Sequence, residues 1–258
     1  MTSAALVAGL LLQIAQNPSP MTDTTRAHTR IEKRAIAGRT HGRAMTFGKP
    51  NKNSPVILHF HGAPWLIQQG TARQFKNVTV AAIQIGSGSR VYGEAFATRV
   101  SFDELLRESE AANRPVILTS FSAGYGAIRS ILSHSSDRIA GIVLIDSLHA
   151  GYDANRKPFA ADLELFAAFA DKKPLIVIHS EVYPGTYAST TETADWLITR
   201  LGARRKPVLR WGPGGMQQLS EARRGNFKVL GFAGNTAPDH VDQLHGYTAW
   251  FRQIKIRR

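Results

Sequence analysis

The sequence predicts an α/β protein, with a doubly wound, mostly parallel sheet and a leading antiparallel hairpin. Three observations predict it. Apolar residues recur down the chain in short unbroken blocks, the pattern of strands covered on both faces. Stretches with helical spacing separate those blocks. The connections are short, and no repeat or low-complexity block interrupts them.

The elements follow in order. Residues 28–37 and 43–47 alternate loosely around Gly38-Arg39-Thr40-His41-Gly42 and read as the hairpin. Residues 50–55, rich in Asn and Pro, form a loop. Residues 56–61 (VILHFH) read as a buried strand ending at Gly62, and residues 66–76 as a helix. A second apolar run, 78–85, closes at Gly86-Ser87-Gly88-Ser89. Residues 102–113 are an amphipathic helix stopped before Arg114-Pro115. Residues 115–132 read as strand, sharp turn and helix, with Ser122 at the apex. A strand over 139–145 ends in Asp146, residues 159–170 are helical, and residues 175–179 form a strand. A helix over 191–201 is closed by Gly202, and 227–232 is the last clear strand. Asp239 suits the N-cap of a closing helix over 240–253. The segment between Asp146 and Pro174 has room for one helix and a loop, so no large cap domain is expected.

In such sheets ligands bind at the carboxyl ends of the strands. There the sequence puts His61-Gly62-Ala63-Pro64-Trp65, Ser122, Asp146-Ser147-Leu148-His149, His179-Ser180-Glu181 and His240. A serine needs a base, a group that orients the base, and donors for the developing oxyanion. Ser122 is the candidate nucleophile: Gly124 supplies the small residue two places on, and Ser120 stands two places before, where glycine is commoner. His240 is the candidate base, favoured over His245 because it enters the closing helix from the loop after the last strand. Asp146 is the candidate acid, favoured over Glu181 because it stands directly at a strand end. The backbone N–H groups of Ala63 and Ala123 are the expected oxyanion donors. Trp65 and Tyr125 are candidate walls of a substrate pocket.

The segments HFHGAPW, TSFSAGYGA, IDSLHAGY and NTAPDHVDQL resemble, in order and spacing, the α/β-hydrolase superfamily across residues 55–253. The resemblance implies a serine hydrolase of the esterase or lipase kind acting on carboxylic esters or related acyl bonds. It implies Ser122 as nucleophile, His240 as histidine, Asp146 as acid, and Ala63 and Ala123 as oxyanion donors. The sequence departs from the pattern at Ser120 and in having no Asp after the 175–179 strand. The same scaffold also serves amidases, perhydrolases and lyases, and can serve as a non-catalytic binding protein whose basic surface takes an anionic polymer.

Composition narrows the classes. Zero Cys excludes a thiol nucleophile and cysteine-ligated metal or iron–sulfur sites. His59 and His61, two apart on a strand, share a face and could be imagined with His149 as metal ligands, but the HxHG setting suits bracing of the oxyanion loop, so no metal is expected. Gly86-Ser87-Gly88 lacks the third glycine and the immediately following helix of a dinucleotide loop, so no cofactor is expected. The net charge is +13, yet Lys and Arg lie in short scattered clusters without interleaved aromatics; the expected partner is a small acyl substrate, not nucleic acid. Residues 1–20 carry an apolar stretch, 4–15, too short to span a bilayer and suited to a signal peptide, which leaves 21–258 as a single domain. Cleavage near residue 16 implies a periplasmic or extracellular protein; retention as an N-terminal helix implies a cytoplasmic one.

Overall fold

The computed structural model describes residues 39–41 and 44–254. The proposed leader, and the first strand expected over 28–37, lie outside the described residues. Ten strands form one sheet in the order β1-β2-β4-β3-β5-β6-β7-β10-β9-β8. Its centre is parallel: β4 (Val78–Ile83), β3 (Val56–Phe60), β5 (Val116–Ser122), β6 (Ile139–Ser147), β7 (Leu175–His179) and β10 (Phe227–Phe232). Antiparallel hairpins flank both edges, β1 (Arg39–His41) with β2 (Ala44–Phe47), and β8 (Lys206–Trp211) with β9 (Gln217–Arg224).

The unbroken apolar runs have the predicted cause. Along each central strand, alternate residues enter opposite cores. Val56, Leu58, Val116, Leu118, Ile142, Leu144, Leu175 and Val177 face one core, and Ile57, Ile117, Val143, Ile145, Ile176 and Ile178 the other. The first core is covered by α2 (Ser89–Ala95), α3 (Arg99–Glu108), α4 (Tyr125–Ser135), α5 (Glu164–Ala170) and α6 (Thr190–Arg200). The second is covered by α1 (Pro64–Gln74), α7 (Ala237–His245) and α8 (Tyr247–Phe251). Each fully buried Leu, Ile or Phe contributes about 1.5–3 kcal/mol. No strand of the parallel centre can therefore slip by one residue without moving its apolar set to the wrong layer.

Several boundaries differ from expectation. The hairpin register pairs Arg39 with Thr46 and His41 with Ala44, so strand occupies residues the sequence assigns to the turn. Helix α3 starts at Arg99, where Thr98 accepts from Ser101 N, and stops at Glu108 well before Pro115. Glu110 takes φ 53, Ala111 N donates to Leu106 O and Glu110 N to Arg107 O, which is the left-handed closure that glycine usually provides. Gly202 closes α6 in the same way, as expected. The closing helix starts earlier than expected: Thr236 is its N-cap, and Asp239 is the third helical residue of a reciprocal capping box, not the cap. It also breaks at Gly246, against which the Trp250 ring packs while its Nε1 donates to Gln243 O. Helix α2 and the β8–β9 hairpin have no counterpart in the sequence reading. Every residue of β8 is exposed except half-buried Val208, so the strand carries no apolar pattern.

Between β6 and β7 lie a single turn of 3-10 helix (Ala160–Asp162) and α5, and among the described residues no cap domain is inserted there. Among the described residues no helix is long and apolar enough to cross a membrane.

Helix α4 sits so close to its neighbours that a Cβ on Gly126 would lie 2.0 Å from Ser89 O, and one on Gly124 2.0 Å from Phe60 O. Both obstacles are backbone. Gly126→Ala should therefore destabilise the protein by about 3 kcal/mol, read as a lower urea midpoint, although alanine is the better helix former. An unchanged midpoint would show that the α4–α2 contact yields at little cost.

Candidate active site

The turn at Ser122 follows from local geometry. Strand β5 ends there with Ser122 at φ 46, a left-handed backbone that a non-glycine residue adopts only under constraint. The helix begins three residues later, at Tyr125. Gly124 N donates to Phe121 O and closes the turn. Ser120 is fully buried, and its role answers why glycine is not needed there. Ser147 Oγ donates to Ser122 O at 2.8 Å, which uses its only proton. Ser120 Oγ, 2.8 Å from Ser147 Oγ, is then the donor in that pair. Two hydroxyls thus tie the apex carbonyl to the neighbouring strand β6.

Asp146 stands one strand over, also at positive φ (41) and 1% exposed. Its Oδ1 accepts from Ser180 N at 2.9 Å and Thr190 Oγ1 at 2.6 Å. Its Oδ2 accepts from Ser180 Oγ and from His240 Nδ1, the latter at 2.7 Å. Burial alone would push this carboxyl up. The hydrogen bond and charge of His240, with the hydroxyls of Ser180 and Thr190, outweigh that and hold it down to about 2. An ionised Asp146 accepts only, so His240 Nδ1 donates its proton toward it. The His240 ring stacks on Phe121, the residue before Ser122, with centroids 4.4 Å apart. Among the described residues no hydrogen bond joins Ser122 Oγ to His240.

The alternatives lie elsewhere. Glu181 is exposed, and its backbone N donates to Gly234 O. His245 lies five residues beyond His240 on α7, about 140° around the helix from it.

The loop after β3 turns sharply, with His61 at φ 68 and Gly62 at φ 108. Gly62 N donates to Gln84 Oε1. His61 Nδ1 lies 3.1 Å from both Gly86 O and Tyr92 Oη. The positive φ separates the two histidines expected to share a face. His59 points to Tyr247 and to Thr119 Oγ1, whereas His61 points to Tyr92. No hydrogen bond from Ala63 N or Ala123 N reaches another described residue.

A cleft of about 390 Å³ opens beside Ser122, lined by Ala123, Tyr125, His149, Tyr187 and the Ser87-Gly88-Ser89 loop among others. Tyr125 thus lines it as expected. Trp65 does not; it packs against the core that holds Leu66 and Ile67. The Gly86–Ser89 loop is followed directly by α2, contrary to the sequence reading, and its residues wall the cleft. His149, one of the residues the sequence puts at the strand ends, lines the cleft. Its ring sits between Tyr125 and Tyr187, and its Nδ1 donates to Ala188 O at 3.0 Å, leaving Nε2 as an acceptor. Burial pushes His149 down, so it is held neutral. Ser180 and Thr190 also escaped the sequence reading, because a hydroxyl turned toward a buried carboxylate has no sequence signature.

No family model matches the sequence, and a search of curated proteins finds no match. Among solved structures, a poly(3-hydroxybutyrate) depolymerase from Bordetella parapertussis aligns at a TM-score of 0.50 with 11% identity, over 83% of this chain and 86% of its own. The fold is the α/β-hydrolase fold. An acetyl xylan esterase from Aspergillus awamori aligns at 0.46 with 12% identity, over 83% of this chain and 96% of its own. Poly(aspartic acid) hydrolase-1 from Sphingomonas sp. KT-1 aligns at 0.47 with 10% identity, over 80% and 91%. Ser122, Asp146 and His240 follow one another along the chain, at the ends of β5 and β6 and in the first turn of α7.

Four histidines are held neutral by burial: His59, pushed down to about 3, with His61, His149 and His179 also lowered. Their contribution to stability is complete above the unfolded-state value near 6.5 and is lost as pH falls below it, for His59 down to about 3. Asp146 adds a second window, its contribution complete above about 4 and lost as pH falls toward 2. The urea midpoint should therefore fall steadily from pH 7 to pH 4, and His59→Asn should reduce that slope. A midpoint that rises on acidification would contradict the neutral assignment.

Proposed function

We propose that this protein is a serine hydrolase that cleaves carboxylic esters through an acyl-enzyme. One observation carries the reading: the 2.7 Å contact of His240 Nδ1 with the buried carboxylate of Asp146, beside a serine held at positive φ. A histidine oriented in that way has its basic Nε2 free, the state a general base requires.

In the reaction, Ser122 Oγ attacks the ester carbonyl while His240 Nε2 takes its proton. The tetrahedral oxyanion rests on Ala63 N–H and Ala123 N–H, which have no partner among the described residues. Its collapse breaks the ester C–O bond, and His240 returns the proton to the departing alcohol. Water, deprotonated by His240, then attacks the acyl-enzyme and releases the carboxylic acid, regenerating Ser122. Asp146 stays ionised throughout and stabilises the imidazolium. The Ser122–His240 hydrogen bond closes when substrate binds, as catalytic contacts that are long in unliganded enzymes commonly do.

The cleft walls favour short or polar acyl groups. Ser87, Ser89, Tyr125, His149 and Tyr187 offer hydroxyls and an imidazole, not an alkyl-lined channel.

A fluorophosphonate probe should label the wild type and fail to label Ser122→Ala; equal labelling of both would refute the mechanism. Asp146→Asn should lower kcat on the order of ten-thousand-fold, and Glu181→Gln by less than about threefold. On a series of p-nitrophenyl esters, kcat/KM should fall from acetate to octanoate; the opposite trend would reject the polar pocket.

A further inference from the structure

At the opposite end of the sheet from Ser122, a cleft of about 260 Å³ opens where β7 and β10 begin. Its walls include Arg223, Asn226, Lys228, Arg252 and Gln253, and no carboxylate. Two of the cations are set against each other by the fold itself. Lys228 on β10 pairs directly with Arg223 on β9, so their side chains leave the same face of the sheet at adjacent positions. Like charges directly opposite in a ladder are destabilising.

Little nearby relieves them. Glu221 is the carboxylate at hand, and its Oε2 is taken up by Arg210 at 2.6 Å, with Arg223 at 3.5 Å. Lys228 Nζ donates to a neutral group, Gln253 Oε1. Arg252 has no carboxylate partner among the described residues; its guanidinium lies over the Phe75 ring at 5.9 Å. Burial, with Arg223 and Arg210 adding repulsion against the opposing pull of Glu221, pushes the Lys228 ammonium down to about 8. Arg224, next along β9, is turned away from the cleft to donate to Leu201 O.

We propose that this cleft binds a phosphate-type oxyanion, held by Arg223, Lys228 and Arg252. Two guanidinium forks and one ammonium match a tetrahedral oxyanion in charge and donor geometry. The side chain of Asn226 also lines the cleft. The volume suits a small anion. Phe227, the cleft's aromatic residue, is 1% exposed, so no stacking platform exists for a base, and the site is not one for single-stranded nucleic acid. The β7 strand separates this cleft from the Ser122 end by about 16 Å, so the two sites are distinct and neither reading depends on the other.

The test uses the full chain, wild type and the variants Lys228→Gln and Arg252→Gln. In low salt without phosphate, Lys228→Gln should be at least as stable as wild type, because it removes an opposed charge. Inorganic phosphate at millimolar concentration should raise the wild-type Tm by about 3 °C beyond chloride at matched ionic strength, and each variant should lose most of that gain. A second arm asks whether the phosphate is carried by a lipid, using vesicles of phosphatidylglycerol against phosphatidylcholine. A phosphate gain lost in the variants identifies a free-anion site. Retention on phosphatidylglycerol alone, lost in the variants and without a phosphate gain, identifies a headgroup site. Neither effect, or effects that persist in both variants, overturns the proposal.

Discussion

A carboxylate does not persist inside a sheet unless its charge is compensated, and Asp146 is compensated by four hydrogen bonds. They come from the residue after β7 (Ser180), the start of α6 (Thr190) and the first turn of α7 (His240), while Asp146 is the last residue but one of β6. The charge therefore acts as a junction. Removing any donor leaves part of a buried anion unpaired, which costs more than the lost bond. The same junction orients His240, so the packing of three strand and helix ends and the placement of that imidazole rest on one group.

Around that junction the backbone is held in unfavourable conformations. Ser122 and Asp146 both take positive φ, at a cost of about 1–3 kcal/mol each. The cost is met by the surroundings. The Ser120–Ser147 hydroxyl pair ties down the carbonyl of Ser122, and α4 is pressed against the backbone of Phe60 and Ser89 through Gly124 and Gly126. The two cores beneath are tightly filled, so the turn cannot relax into them. A serine at the first elbow position is thus not a weakened glycine. It supplies a donor that glycine lacks.

Charge is distributed in two ways along the same sheet. At the carboxyl ends the buried carboxylate of Asp146 is fully hydrogen-bonded, and burial pushes His59, His61, His149 and His179 down. At the amino ends of β7 and β10, cations face cations with one carboxylate between them. The parallel centre of the sheet keeps these two ends apart.

Apolar run length and turn chemistry are local properties, and they determined the central strands, their parallel order and the strand-end positions of Ser122, Asp146 and His240. The boundaries of β7 and β10 were readable to the residue because their apolar runs stop abruptly. The β8–β9 hairpin was not, since an exposed edge strand buries nothing that would mark its sequence. For the acid, sequence favoured Asp146 over Glu181 only by its place at a strand end; the packing of α6 and α7 over the sheet decides it, with Asp146 ringed by donors and Glu181 exposed. The partners Ser180, Thr190 and Ser147 lie between 25 and 44 residues from the atoms they bond. Such contacts are long-range, and serine or threonine in any of those positions reads as an ordinary polar residue. Sequence determined which groups stand at the sheet's edge; tertiary packing decided which of them meet, because only packing sets distance between residues far apart in the chain.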